Sequence, residues 1–244
     1  MISIVLCEGK SDAILLSYYL MKTKGWRFIE KRKGPLTLPS TDGVNENMDW
    51  YINEGNFLAI WGVGGKDLFQ RAINTVIELN IKGVAKQQFE KIVIVTDRDL
   101  ETEQYKLEEI SRFFSGIGSV TLSNATWTTT NYRDEFDMEA EVHISPIIVP
   151  FEEEGALETF LLRALSENEQ EHYYVMKSQD FIDSLVSSEK YLNTPRIRLK
   201  AKLATTLAIL SPEKVFHKLD VVLQSIPWEN YKHIQEGFKI LEEI

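Results

Sequence analysis

The sequence predicts an α/β protein: a mostly parallel sheet flanked by helices, with a helical C-terminal extension. Three observations predict it. Ile2-Ser3-Ile4-Val5-Leu6-Cys7 and Ile92-Val93-Ile94-Val95-Thr96 are apolar runs of strand length, the pattern of parallel strands buried on both faces. Strand-like and helix-like segments alternate through about residue 150, the order expected of βαβ units with right-handed crossovers. Beyond that point the chain reads as helices punctuated by Pro195, Pro212 and Pro227. The expected division is an α/β domain over 1–150 and a helical part over 151–244 packed on it, as two units or one continuous domain.

Taken in order, the first strand covers 2–7, and Ser11 or Asp12 caps a helix running to about Lys22. Trp26–Ile29 reads as a short strand, and 33–56, with Gly34, Pro35, Pro39, Asp42 and Gly43, reads as a long loop. A strand is expected at Phe57–Trp61, then the turn Gly62-Val63-Gly64-Gly65, then a helix from Asp67 to Leu79. The strand at 91–96 is followed by a helix over 102–114. Residues 115–141 read as irregular, with an extra strand near 119–128, and Val142–Val149 is a strand that Pro150 stops. Helices are expected over 155–166, 180–187, 196–210, 212–223 and 229–242.

Composition narrows the class. With 43% hydrophobic and 26% charged residues over 244 positions, the chain is an ordinary globular one. Its longest apolar runs are strand-sized, well short of the roughly 20 residues of a membrane span. Met1 leads straight into the first strand, and Cys7 is the only cysteine, so neither a signal peptide nor a disulfide framework is expected. Those features predict a cytoplasmic protein without a membrane partner. The net charge of −10 argues against indiscriminate coating of nucleic acid, which needs a basic surface. Charge is uneven, however: residues 190–202 carry Lys190, Arg196, Arg198, Lys200 and Lys202 and no acid. The acidic stretch 133–154 is the plainer, intramolecular partner for them.

The chemistry-bearing residues close the two apolar runs. Glu8 follows the first, and Asp97-Arg98-Asp99 follows the second. Ligands of open parallel sheets bind at the carboxyl ends of strands. If the two strands are neighbours, Glu8, Asp97 and Asp99 meet there. Carboxylates about 5 Å apart repel by roughly 3 kcal/mol per pair at an effective dielectric near 20. Such a cluster calls for a cation, and hard oxygen donors suit Mg²⁺ or Mn²⁺. Glu158, in the first turn of an expected helix, is a further candidate ligand; the plainer account is a favourable placement on the helix dipole. Gly64, Gly65 and Lys66, before a helix, and Lys10, after the first strand, are candidate phosphate-binding residues. The glycine turn is not a Walker loop, because Ile60 and Asp67 break that pattern, and a plain strand-to-helix turn explains it as well. Arg196/Lys200 and Arg198/Lys202 form two i,i+4 pairs on one helix and are candidate nucleic-acid contacts.

The stretch Val5-Leu6-Cys7-Glu8-Gly9-Lys10-Ser11-Asp12, the glycine turn at 62–65 and Val93-Ile94-Val95-Thr96-Asp97-Arg98-Asp99 together resemble the Toprim domain over about residues 1–150. The late Leu157-Glu158 resembles the branch of overcoming-lysogenization-defect (OLD) nucleases. The resemblance implies a Toprim-like, Rossmann-like sheet and Mg²⁺ or Mn²⁺ held by Glu8, Asp97 and Asp99. It implies phosphoryl transfer, most simply nuclease action on DNA or RNA phosphodiesters, with Glu8 as a general acid or base. The family's multi-domain enzymes carry ATPase or zinc-ribbon parts that are not found in this sequence. A separate ATPase or other protein subunit is therefore an expected partner. The alternative is a non-catalytic module that binds a nucleotide or nucleic acid within a defence or repair complex.

Overall fold

The computed structural model describes residues 1–39, 46–83, 87–214 and 216–244, with side chains at all of these except 219 and 220. Strands are β1 (Ile2–Cys7), β2 (Arg27–Ile29), β3 (Glu46–Asn53), β4 (Asn56–Val63), β5 (Lys91–Asp97), β6 (Thr128–Arg133) and β7 (Glu139–Val149). Helices are α1 (Lys10–Lys24), α2 (Phe69–Lys82), α3 (Glu103–Phe113), α4 (Leu157–Leu165), α5 (Glu169–Ser184), α6 (Pro195–Leu210), α7 (Leu219–Leu223) and α8 (Lys232–Gly237).

The strands form one mixed sheet in the order β2-β3-β4-β1-β5-β7-β6. Its four central strands, β4-β1-β5-β7, are parallel, and antiparallel strands close both edges. β1 and β5 are direct neighbours, with Cys7 level with Val95. Alternation of side chains across the pleat divides the core into two layers. Ile4, Leu6, Ile92 and Ile94 pack with α2 and α3 on one face. Val5, Cys7, Val93 and Val95 pack on the other with α1 and with Phe160, Leu161, Leu207, Trp228 and Phe238 of the C-terminal helices. The helical extension therefore completes the core on the α1 face of the sheet. No helix among the described residues is long and apolar enough to cross a membrane.

Several expected elements differ. Glu46–Asn53, read as loop, is strand β3. Its inward residues Glu46, Met48 and Trp50 alternate with Asn47 and Asp49, so polar residues on the second face disguise a period of two. A two-residue turn joins it to β4, with Glu54 at φ 48° and Gly55 at φ 84°, the left-handed geometry that matches hairpin twist. Residues 40–45, including Asp42 and Gly43, lie outside the described residues. The extra strand expected near 119–128 instead lies at Thr128–Arg133, where it pairs antiparallel with a β7 that begins at Glu139.

The helix expected at 180–187 is the end of α5, which begins at Glu169 because the Asn168 side chain accepts from the backbone N–H groups of Gln170 and Glu171. Helix 212–223 is a 3-10 turn at Pro212–Lys214 and the short α7, and residue 215 lies outside the described residues. Helix 229–242 is α8 flanked by 3-10 turns.

Candidate functional site

The carboxyl ends of β1 and β5 bring two of the three expected acids together and hold them in a defined geometry. Glu8 is buried, and its Oε1 accepts from the backbone N–H of Asp97 (2.9 Å) and from the Thr96 hydroxyl (2.9 Å). Its backbone carbonyl accepts from the N–H groups of Gly64 (3.0 Å) and Gly65 (2.8 Å). This corrects the expectation for the glycine turn: both N–H groups are spent on tying β4 to the end of β1, not held out for a phosphate. Gly62 is required there too, because a Cβ on it would lie 2.5 Å from the Gly9 carbonyl oxygen.

Asp97 is buried at the last position of β5, and its Oδ1 accepts from the backbone N–H of Leu157 (2.7 Å), the first residue of α4. A helix N-terminus favours such a carboxylate. Asp99 follows in the left-handed region at φ 56°, a conformation that aspartate tolerates. Its backbone exchanges two hydrogen bonds with Gly155 (2.7 and 2.8 Å), which anchors the loop before α4.

Arg196 closes the cluster. Its Nη2 lies 2.6 Å from Asp97 Oδ2 and 3.8 Å from Glu8 Oε2, and its Nη1 lies 2.8 Å from Asp99 Oδ1. Lys66 Nζ sits 3.3 Å from the other Asp99 oxygen. Two further acids stand close. Burial pushes the Asp12 carboxyl up to about 7 despite a 2.7 Å hydrogen bond from Gly9 N–H, and the charges of Glu8 and Glu158 add to the rise. Gly9 and not Ser11 or Asp12 occupies the cap of α1, and Asp12 reaches back to it from the first turn. Burial, then Glu8 and Asp12, hold the Asp97 carboxyl well above the usual range, and Arg196 pulls it back down. Glu158 stands at the start of α4, where Oε2 is buried without a hydrogen-bond partner and Oε1 is 3.9 Å from Lys200.

Among the described residues, the basic side chains of α6 are engaged by other parts of this chain, and none pairs with 133–154. Arg196 faces Glu8, Asp97 and Asp99 at the strand ends, and Lys200 faces Glu158 on α4. Arg198 donates to the carbonyls of Ile182 (2.9 Å) and Leu185 (2.7 Å) and to the Ser187 hydroxyl (2.8 Å), and Lys202 pairs with Asp183 (2.8 Å). Residues 198 and 202 thus bind α6 to the C-terminal end of α5. Lys10 is exposed at the start of α1 and makes no ion pair among the described residues.

Among the described residues, no group of three or more His, Cys, Asp or Glu side chains is drawn together as a metal site. The donor chemistry nevertheless suits a hard cation: carboxylate oxygens only, one of them, Glu158 Oε2, buried and unpaired. In this conformation a guanidinium supplies the positive charge.

Fold and site together define an α/β protein with an arginine-closed acid cluster at the ends of neighbouring parallel strands. The chain belongs to the family described as "Protein of unknown function (DUF3226)", whose model matches residues 2–221, from β1 into α7. No curated protein matches. The crystal structure of the hypothetical protein PH0156 from Pyrococcus horikoshii OT3 is similar in fold, with a TM-score of 0.56 at 18% identity over 98% of this chain and 94% of that one.

Proposed function

We propose that this chain is a Toprim-like, Mg²⁺- or Mn²⁺-dependent phosphoryl-transfer protein of the cytoplasm, acting on DNA or RNA phosphodiesters. The observation that carries the reading is the adjacency of Glu8 and Asp97 on neighbouring parallel strands, with Asp99 beside them and one buried acid oxygen, on Glu158, unpaired. Glu8, Asp97 and Asp99 would hold the ion, with Glu158 at its margin. A divalent cation there supplies charge stabilisation for the attacking and leaving oxygens. Glu8 is held in place by Thr96 and the Asp97 N–H, so its second oxygen is the one left for proton transfer. Lys66 and a withdrawn Arg196 provide cations for the phosphate.

The experiment is cleavage of a labelled oligonucleotide with Mn²⁺ by wild type, Asp97→Asn and Glu8→Gln. Cleavage by wild type alone supports the reading; equal cleavage by Asp97→Asn overturns it. The closure by Arg196 favours a second reading, a module that binds a nucleotide or strand end without cutting it, in company with a separate ATPase or other subunit. Binding without turnover by wild type would select that reading.

A further inference from the structure

Beside the acid cluster lies a cavity of about 750 Å³, bounded by the turn at Lys66–Leu68, α2, α3 and the start of α6. That volume is within the range of small-ligand sites, which combine apolar walls with a few placed polar groups. Here the walls are Phe69, Ile94, Ile110 and Phe113, and the rim carries two large exposed side chains, Leu100 at 76% and Tyr105 at 47%.

Two of the three cations around it lie at the strand ends, already paired with carboxylates, and the α3 side carries Glu101 and Glu109 with Lys106. At the strand ends, Lys66 and Arg196 share Asp99. On α3, Lys106 is only 4% exposed, and its one ion pair among the described residues is a long 3.5 Å contact to Glu109. Ammonium groups are rarely so buried without a full set of acceptors. The cavity's carboxylates, Asp67, Asp99, Glu101 and Glu109, outnumber the three cations Lys66, Lys106 and Arg196. A bare anion therefore gains little. The matching ligand carries its anionic group at one end, against Lys66 and Arg196, and a flat apolar body with N–H donors for the carboxylates of α3 and the loop before it.

We propose that this cavity binds one nucleoside monophosphate unit, free or at the end of a nucleic-acid strand. The base lies against Tyr105 and the apolar wall, and the phosphate meets Lys66 and Arg196. The proposal rests on the phosphoryl-transfer reading above, because it assigns the cavity to that reaction's substrate.

The test is calorimetric titration of the full chain with AMP and with inorganic phosphate, in Mg²⁺. Base–aromatic stacking makes AMP at least about tenfold tighter than phosphate. Tyr105→Ala should lose about tenfold for AMP, keep its phosphate affinity and keep its melting temperature, since the side chain is half exposed; Tyr105→Phe should bind as wild type does. AMP no tighter than phosphate, or undiminished in Tyr105→Ala, overturns the proposal. A parallel Mn²⁺ titration separates the two claims. A melting shift with Mn²⁺ but no AMP binding removes the cavity and leaves the metal site. Tyr105-dependent AMP binding without a Mn²⁺ shift keeps the cavity and removes the metal. Displacement of AMP by a 5′-phosphorylated oligonucleotide identifies the strand end as the source, and its failure identifies the free nucleotide.

Discussion

Two acids of the site, Glu8 and Asp97, stand at the ends of sheet strands, whereas the arginine that answers them stands on a helix. Glu8 and Asp97 end neighbouring central strands, and their side chains are 11% and 8% exposed. Hydrogen bonds from Thr96, the Asp97 N–H and the Leu157 N–H fix them further. Arg196 begins α6, 41% exposed, on a helix whose ties to α5 are exposed ion pairs and carbonyl contacts. Surface pairs of that kind contribute little each. One wall of the site is thus set by the sheet, and the other is the exposed first turn of a helix that reaches the core only further along, at Leu203 and Leu207. The fold keeps the carboxylates clustered at a standing electrostatic cost and balances them with a partly exposed arginine that reaches in from a helix.

The largest break in that comparison is Arg196→Ala. Removing one partner of a buried ion pair costs about 3–5 kcal/mol, and solvent screening of this half-exposed arginine reduces the expected loss to about 1–3 kcal/mol at pH 8. Without Arg196, the already raised Asp97 carboxyl rises further, so the deficit should shrink as pH falls from 8 to 5 and the group takes up its proton. Urea unfolding at the two pH values measures this, and an equal deficit at both would contradict it.

A smaller effect, of opposite sign, is expected for Asp12→Asn. The folded carboxyl titrates near 7, while an unfolded aspartate titrates near its ordinary value of about 3.9. Between those values the folded state holds a proton that the unfolded state has lost. Stability from this group is therefore full below about pH 4 and lost as pH rises through 7. Asp12→Asn should be more stable than wild type at pH 8, by about 1–2 kcal/mol, and should show a flatter pH profile between 4 and 7. The smallest effect is Arg198→Ala, which loses contacts to Ile182, Leu185 and Ser187 at a cost of about 1 kcal/mol, independent of pH between 5 and 8.

What was legible beforehand follows the same division. β1 and β5 are continuous apolar runs, so their ends, and with them Glu8, Asp97 and Asp99, are visible as local pattern. β3 is not, because Asn47 and Asp49 lie on its second face and Glu46 on its inward one is buried through a hydrogen bond from Trp61 that no local pattern announces. Arg196 was legible as part of a basic helix but not as the partner of residues 97 and 99 positions away, since nothing in the spacing of α6 says which of its faces meets the sheet. Tyr105 and Lys106 carried no signal either. Their cavity exists only where α2, α3 and α6 converge on the strand ends.

On the proposal that the acids hold a divalent ion, Arg196 occupies the place of that cation. The most direct test of that proposal is the melting temperature of wild type, Asp97→Asn and Arg196→Ala titrated with Mn²⁺ at pH 8. At about a hundredfold excess over Kd, a ligand of the folded state contributes roughly 2.7 kcal/mol, or about 5 °C or more for a chain of this size. The account predicts that shift for wild type, a shift at lower Mn²⁺ concentration for Arg196→Ala, and none for Asp97→Asn. An unchanged melting temperature in both wild type and Arg196→Ala would mean that the acid cluster is built for the arginine alone.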